Sequence, residues 1–359
     1  MPVINVHSAI RDYAVHFSDG FDFLAAFEKI PNRFYVIDSN VWQLYRDSQF
    51  SHLDPQLVMV LPIEEERKNL DTVMEVYDAL MARSAKRNMT MISIGGGIVQ
   101  DITGFAASTL YRGINWIFVP TTLLAQADSC IGSKTSLNYK SYKNLIGSFF
   151  PPNQIFLCPR FTGTLKSEDY FSGLGEVIKL HLMGGEAKAQ ELMAAMPALT
   201  GRKDPGALLA AIERSLAVKL SYMQDDEFDT GKRNLLNYGH CFGHAVESTS
   251  DFAIPHGQAV VIGMMFANIA ARNRGQLNGD LFTHLHDKVL MPALMSRPGK
   301  SHLDTDTVFA AMKMDKKRTG EGLVLVMLTN GYEMSKIEDL TYAELAAANQ
   351  ELQKLVGAQ

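Results

Sequence analysis

Cysteine is scarce in this chain. Its 359 residues include three, Cys130, Cys158 and Cys241, far apart and without a CxxC pair. That excludes a disulfide framework and a cysteine-rich zinc site, and it suits a reducing compartment. Long apolar runs are also missing, since none approaches the ~18–20 residues of a membrane span. The opening Met1-Pro2-Val3-Ile4-Asn5 has neither the charged nor the apolar region of a secretion signal. The expectation is a cytoplasmic protein with no membrane partner. Nor is one sign of charge in large excess: 34 Lys and Arg face 39 Asp and Glu, a net charge of −5. A nucleic-acid partner is therefore not expected, while local cationic clusters can still hold a small phosphorylated molecule. Repeats, low-complexity tracts and long flexible linkers are absent as well.

What is present is an ordinary globular composition, 47% hydrophobic and 20% charged. The length exceeds the ~250–300 residues at which single cores stop growing, so two domains are expected. Alternating runs at 3–7 and 13–17 are expected to pair as an opening hairpin. Continuous apolar runs at 34–38, 57–61, 91–94, 116–119 and 155–157 read as buried parallel strands. Helical spacing occupies 71–83 and 102–110. Strands and helices in alternation predict an open α/β sheet whose ligand sits beyond the carboxyl ends of the strands. Beyond about residue 161 the pattern becomes helical, at 170–183, 186–195, 205–224, 235–250, 258–274 and 305–314, with a late strand at 323–327. The domains are accordingly drawn as 1–165, Rossmann-like, and 166–359, mostly α-helical. A cleft between them is the expected active site.

Several segments carry chemistry. Gly95-Gly96-Gly97 follows a strand and precedes a helix, where backbone N–H groups and the helix N-terminus suit a pyrophosphate; a tight strand-to-helix turn is the plain alternative. Glu65 and Lys68 either reach a ribose or adenine or belong to a solvated charged loop. Gly132-Ser133-Lys134-Thr135 echoes the end of a P-loop, but Asp128 stands where the earlier glycine belongs, so an ATPase is rejected. The stretch from there to Gly147 is either a phosphate cradle or a solvated loop. His240 and His244 lie one helical turn apart, His256 follows, and Glu176 is a carboxylate inside an apolar stretch. Such a set suits a divalent ion with an open coordination position, against the alternative of satisfied core residues. Glu247, one turn after His244, reads as its orienting partner or as a surface carboxylate. Arg112, Lys179, Lys219, Arg233, Lys316 and Lys317 are the remaining cationic candidates.

Taken in order, Gly95-Gly96-Gly97 with Asp101, Arg112-Gly113, Pro120-Thr121-Thr122-Leu123-Leu124-Ala125, Lys143-Asn144-Leu145-Ile146-Gly147, Glu176-Val177-Ile178-Lys179 and Asn237-Tyr238-Gly239-His240-Cys241-Phe242-Gly243-His244 resemble the 3-dehydroquinate synthase family of sugar phosphate cyclases. The resemblance runs from about Glu65 to Lys317. It implies NAD and a divalent metal, Zn²⁺ or Co²⁺, the metal on Glu176, His240 and His256, which leaves His244 either to support those ligands or to handle protons. It implies that Glu65, Lys68, Gly96, Gly97, Asp101, Thr121, Thr122, Lys143 and Thr164 bind the NAD. Asp128 and Lys179 would meet substrate hydroxyls or metal-bound water. Lys134, Asn144, Asn237 and one of Lys316 and Lys317 would hold the phosphate, with Arg112 reaching it across a homodimer interface. Lys219 and Arg233 would face a carboxylate.

The implied reaction converts 3-deoxy-D-arabino-heptulosonate 7-phosphate to 3-dehydroquinate and phosphate. It proceeds through transient oxidation of a secondary alcohol, phosphate elimination, re-reduction and an intramolecular aldol closure. The chain departs from the family pattern at Ser133 and Gln100, where glycine is usual, and over 136–142. Those departures raise the alternative of a secondary-metabolic cyclase forming 2-deoxy-scyllo-inosose, a valiolone or aminodehydroquinate. Retention of Arg233 with Asn237 favours an acid substrate. An iron-type alcohol dehydrogenase shares the two-domain plan but would release NADH, and a catalytically dead NAD-binding protein would need no such combined residue set.

Overall fold

Runs of β-branched and aromatic residues near the N-terminus assemble into one seven-stranded sheet in the order β1-β2-β9-β6-β5-β3-β4. Its strands are β1 (Val3–Val6), β2 (Tyr13–Phe17), β3 (Arg33–Asp38), β4 (Val58–Leu61), β5 (Thr90–Gly95), β6 (Asn115–Pro120) and β9 (Gln154–Leu157). The computed structural model describes residues 2–140, 142–202, 204–314 and 322–358. The chain divides into two compact units, 1–165 and 166–359.

In the first unit β1 and β2 pair antiparallel, with Val3 opposite His16, as the opening alternation predicts. The other pairings are parallel. Central strands covered on both faces must be apolar throughout, and Phe34, Val36, Ile37, Met91, Ile92 and Ile94 are fully buried. Helix α1 (Phe23–Phe27) and α2 (Ser39–Tyr45) pack Leu24, Phe27, Val41 and Tyr45 against Tyr35, Ile37 and Ile94 in one core. Helices α3 (Leu70–Met81) and α4 (Gly97–Thr109) pack against each other, and α4 lies on β5 and β6. One polar link crosses that layer: the buried Thr103 hydroxyl donates to Ser93 Oγ at 2.7 Å.

The segment read as a phosphate cradle or a solvated loop is not a loop: it forms an antiparallel hairpin, β7 (Lys134–Tyr139) with β8 (Tyr142–Phe149). Only Thr135 and Leu137 of β7 are fully buried, so the two-residue period is too short to register in the sequence. Gly147 permits the pairing, because a Cβ there would stand 2.2 Å from the Thr135 carbonyl oxygen.

The second unit is built on α5 (Ser167–Met183), α6 (Glu186–Gly201), α7 (Pro205–Met223), α8 (His240–Thr249) and α9 (His256–Asn273). Two further strands, β10 (Leu323–Leu328) and β11 (Met334–Leu340), pair antiparallel. The helix predicted over 235–250 is broken: a short 3₁₀ turn, Lys232–Asn237, precedes α8, and Gly239 between them has φ +79°. A C-terminal helix, Tyr342–Val356, not foreseen, is opened by a capping box in which Thr341 and Glu344 bond each other's backbone N–H. No helix among the described residues is long and apolar enough to cross a membrane.

Helix α9 is buried along nearly its whole length, and its neighbours approach it backbone to backbone. A Cβ at Gly257 would fall 1.7 Å from the Ser172 carbonyl oxygen, and one at Gly175 would fall 2.2 Å from that of Gly257. Across the α8–α9 contact, a Cβ at Gly263 would meet the Gly239 oxygen at 1.8 Å. Backbone oxygens cannot rotate aside, so Gly257→Ala should cost about 3 kcal/mol, the upper part of the usual range for overpacking. Urea unfolding tests this: a midpoint equal to that of the native chain would contradict it.

Candidate active site

Glu176 lies in the middle of α5 and is fully buried. An isolated buried carboxylate is costly, and Lys179, one turn on and equally buried, meets it with Nζ 2.5 Å from Oε2. The other oxygen faces two imidazoles. Oε1 is 3.5 Å from His240 Nε2 at the start of α8 and 3.4 Å from His256 Nε2 at the start of α9. Each of the three residues is next to a glycine that permits close helix contact: Gly175, Gly239 and Gly257. The outer nitrogens are engaged as well. His240 Nδ1 bonds the Tyr238 carbonyl at 3.2 Å, and His256 Nδ1 bonds Glu247 Oε2 at 3.1 Å. Both Nε2 atoms are thereby turned toward Glu176 Oε1.

The electrostatics follow from that arrangement. Burial, then the charges of Lys179, His256 and His244, hold the His240 imidazole well below its ordinary range. Burial also pulls His256 down, but hydrogen bonds to Glu176 and Glu247 outweigh it and push the group up to about 10. Two carboxylates around one imidazole thus favour a positive charge at this point.

A divalent ion fits the donor set. Its N and O ligands at about 2.0–2.1 Å would define tetrahedral edges of about 3.3–3.4 Å, close to the two observed Glu176–imidazole distances. Donor atoms of all three residues lie within 4.8 Å of one another. Glu247 stands behind His256, a placement the sequence spacing to His244 does not suggest. His244 is exposed, its ring 5.4 Å from that of His240 and 5.9 Å from that of His256.

The segment leading into α8 carries Arg233 and Asn237. Arg233 is buried; its backbone N–H donates to Asp226 Oδ2 at 2.9 Å and its guanidinium to the Glu227 carbonyl. Asp226 also accepts from the backbone of Thr230 and Gly231, both at 2.8 Å. Burial raises the Asp226 carboxyl, but these donors outweigh it and hold it down to about 2. Asn237 donates to the Asn234 carbonyl at 2.8 Å, and Lys219 is buried on α7. Lys316 and Lys317 lie outside the described residues.

The first unit gathers a second set. Gly96 caps α4 and Gly97 begins it; a Cβ on Gly97 would meet nothing within 4 Å, leaving an open approach to the helix N-terminus. Such an opening suits a pyrophosphate, whose charge the N–H groups and helix dipole favour. Thr121 is buried beside it, its N–H on the Gly95 carbonyl at 2.9 Å, and Thr122 Oγ1 accepts from Ala125 N. Asp38, a carboxylate not singled out from the sequence, closes β3 next to Gly95 and caps α2 through Asn40 N at 2.7 Å.

Lys68 Nζ lies 2.6 Å from both Asp101 and Asn144, while Asp101 accepts from Ser136 N and Oγ. Burial pushes the Asp101 carboxyl up against the pull of Lys68 and Ser136. Glu65 accepts from Asn138 Nδ2 at 2.8 Å. Asn144, assigned by resemblance to phosphate, is thus joined to Lys68, assigned to the cofactor. Lys134 and Arg112 are exposed, Lys143 is half-buried, and Asp128 is half-buried on a π-turn, Ala125–Ser129. Thr164 Oγ1 bonds the Phe161 carbonyl at 3.0 Å.

The fold, a parallel-sheet unit followed by a helical one, recurs in solved synthases. The 2-epi-5-epi-valiolone synthase of Streptomyces hygroscopicus, solved with NAD⁺ and Zn²⁺ bound, superposes with a TM-score of 0.84 at 27% identity, over 97% of this chain and 99% of that one. A 2-deoxy-scyllo-inosose synthase shares the fold, with a TM-score of 0.79 at 23% identity over 98% of this chain and 100% of that one. Residues 58–172 match the family described as 3-dehydroquinate synthase N-terminal, and residues 173–318 match 3-dehydroquinate synthase C-terminal. The 3-dehydroquinate synthase of Methylococcus capsulatus is 36% identical over 341 residues, 91% of this chain and 93% of that protein. The chain belongs to the 3-dehydroquinate synthase family.

The depressed Asp226 carboxyl gives the Arg233 loop a defined acid dependence. Its stabilisation is complete above the unfolded carboxyl value near ~3.9 and is lost as pH falls through about 2. The urea midpoint gap between the native chain and Asp226→Asn should therefore hold steady from neutral pH down to about 5 and shrink below about 4. A gap unchanged at pH ~2 would contradict it.

Proposed function

We propose that this chain is a 3-dehydroquinate synthase, a carbon–oxygen lyase of the shikimate pathway. It converts 3-deoxy-D-arabino-heptulosonate 7-phosphate to 3-dehydroquinate and inorganic phosphate with no net redox change. The observation that carries the reading is the convergence of Glu176 Oε1 with the Nε2 atoms of His240 and His256, in a chain that matches the family through both halves. When bound, NAD⁺ takes and returns a hydride at one secondary alcohol, and a divalent ion, Zn²⁺ or Co²⁺, polarises that alcohol's oxygen.

The chain's own residues arrange the rest. Glu176, His240 and His256 would hold the ion. Lys179 pairs with Glu176 Oε2 at 2.5 Å, and Oε1 faces the imidazoles. Glu247 and the Tyr238 carbonyl hold the two rings with Nε2 inward. His244, exposed beside them, would pass protons. The open helix N-terminus at Gly96 and Gly97, with Thr121, Thr122, Asp101, Glu65, Lys68, Lys143 and Thr164, would bind the NAD. Lys134, Asn144, Asn237 and one of the Lys316–Lys317 pair would bind phosphate, and concentrated positive charge there stabilises its departure. Lys219 and Arg233 would hold the substrate carboxylate, and Asp128 a hydroxyl. A homodimer is part of the proposal: Arg112, exposed in this chain, would reach the phosphate across the interface, as the family resemblance implies. A cytoplasmic setting is supported by the scarcity and wide spacing of its three cysteines.

The acid substrate separates this reading from the valiolone- and inosose-forming cyclases. Purified protein with NAD⁺ and Zn²⁺ or Co²⁺ should release phosphate from the seven-carbon ulosonate phosphate, and not from its amino analogue, sedoheptulose phosphate or glucose phosphate. Release from one of the others alone would replace the proposal with that activity. Arg233→Ala should cripple turnover of the acid far more than any trace turnover of a neutral sugar phosphate, and equal losses would remove the carboxylate argument.

Ion binding gives a separate check. Glu247→Gln should weaken it about 10- to 100-fold, as loss of an orienting partner usually does. His244→Ala should leave ion content intact while removing turnover. Competition with a chromogenic chelator reads both, and undiminished affinity in Glu247→Gln would count against the assigned ligand set.

A further inference from the structure

Asp128 sits on the π-turn Ala125–Ser129, a wide turn closed by Cys130 N on the Ala125 carbonyl at 3.0 Å. Two glutamine side chains fix that turn from opposite sides. Gln126, fully buried, donates to the carbonyls of Pro120 at 3.1 Å and Cys158 at 3.0 Å, tying the turn to the carboxyl ends of β6 and β9. Gln100, also buried, reaches from α4 and uses both ends of its amide: Nε2 donates to the Ser129 carbonyl at 2.7 Å, and Oε1 accepts from Ser129 Oγ at 2.8 Å. A two-bond ring fixes the orientation of the amide as well as its position. The backbone N–H of Gln100 in turn bonds the Gly96 carbonyl at 3.0 Å, so this residue belongs to the glycine edge that opens α4.

The usual family glycine at position 100 would supply neither side-chain bond. We propose that Gln100 is a positioning residue of this chain, which acts through Ser129 to hold the Asp128 turn in register with the first turn of α4. The inference rests on the reading of Asp128 as a substrate-hydroxyl contact. Gln126 anchors the turn to the sheet, while Gln100 sets its distance from the helix whose N-terminus receives the dinucleotide. Small displacements of a substrate-aligning group cost turnover more than binding.

Gln100→Met keeps the length of the side chain and removes both bonds; Ser129→Ala removes one of the two. Each should lower kcat about 10- to 100-fold while NAD⁺ affinity, read by calorimetry, stays within about twofold. The double variant should be no worse than Gln100→Met alone, because both changes break the same linkage. Amide exchange over 126–130 should also quicken in Gln100→Met, with melting otherwise close to that of the native chain. A kcat within about twofold of native, a multiplicative double variant, or a matching loss of NAD⁺ affinity would overturn the proposal. If the native chain fails to turn over the ulosonate phosphate, the functional reading falls by itself. The exchange result then decides the role of Gln100, and unchanged exchange over 126–130 overturns it.

Discussion

Close contact between helix backbones is the constraint on which the candidate site depends. Glu176 meets His240 and His256 because α9 packs against α5 and α8 at distances that only glycine allows. Gly257 under the Ser172 carbonyl and Gly263 under the Gly239 carbonyl are the clearest cases. The Ser172 hydroxyl accepts from Gly257 N at 3.0 Å and fixes the entry to α9 one residue after His256. The three donor side chains thus start from backbones held rigidly, and short reach becomes precise placement. The energetic logic is consistent with that geometry. A carboxylate removed from water is matched by Lys179 on one oxygen, and its other oxygen faces the Nε2 atoms of His240 and His256.

The first unit solves a different problem with the same economy of parts. The carboxyl edge of its parallel sheet is where helix N-termini, the glycine turn, Asp38 and the Asp128 turn come together, as open α/β sheets require. The β7–β8 hairpin is stitched to the segment after β4 by Lys68, Asn138 and Asn144, and Asn138 N on the Lys68 carbonyl at 2.7 Å seals the seam. Ser133, at one of the departures from the family pattern, has φ +62°. That is backbone glycine adopts at less cost, which explains why glycine is usual there. Departure at this site therefore changes side chain and strain while preserving the turn.

Much of this was legible in the amino-acid order. Continuous apolar runs marked the central strands because both faces of a parallel sheet are covered, and recurring apolar spacing marked α3, α5, α7 and α9. The donor residues were legible as types: a carboxylate within an apolar helix, two histidines one helical turn apart and a third following; that His240 and His256 begin α8 and α9 was not. Which of them meet came only through the family resemblance, because spacing alone pairs His240 with His244 and says nothing of contacts between residues as far apart as Glu176 and His256. The partnership of Glu247 with His256 was hidden for a related reason. It needs the chain to reverse through Asp251 and Phe252, both on left-handed backbone at φ +48° and +61°. A hairpin with polar outer positions, and the Gln100–Ser129 ring, likewise leave no periodic trace.

The central claim is spatial, and anomalous diffraction from crystals grown with Co²⁺ or Zn²⁺ tests it most directly. The account predicts one strong peak per chain within about 2.0–2.2 Å of Glu176 Oε1 and the Nε2 atoms of His240 and His256. A peak on any other set of side chains, with these three left uncoordinated, would contradict it.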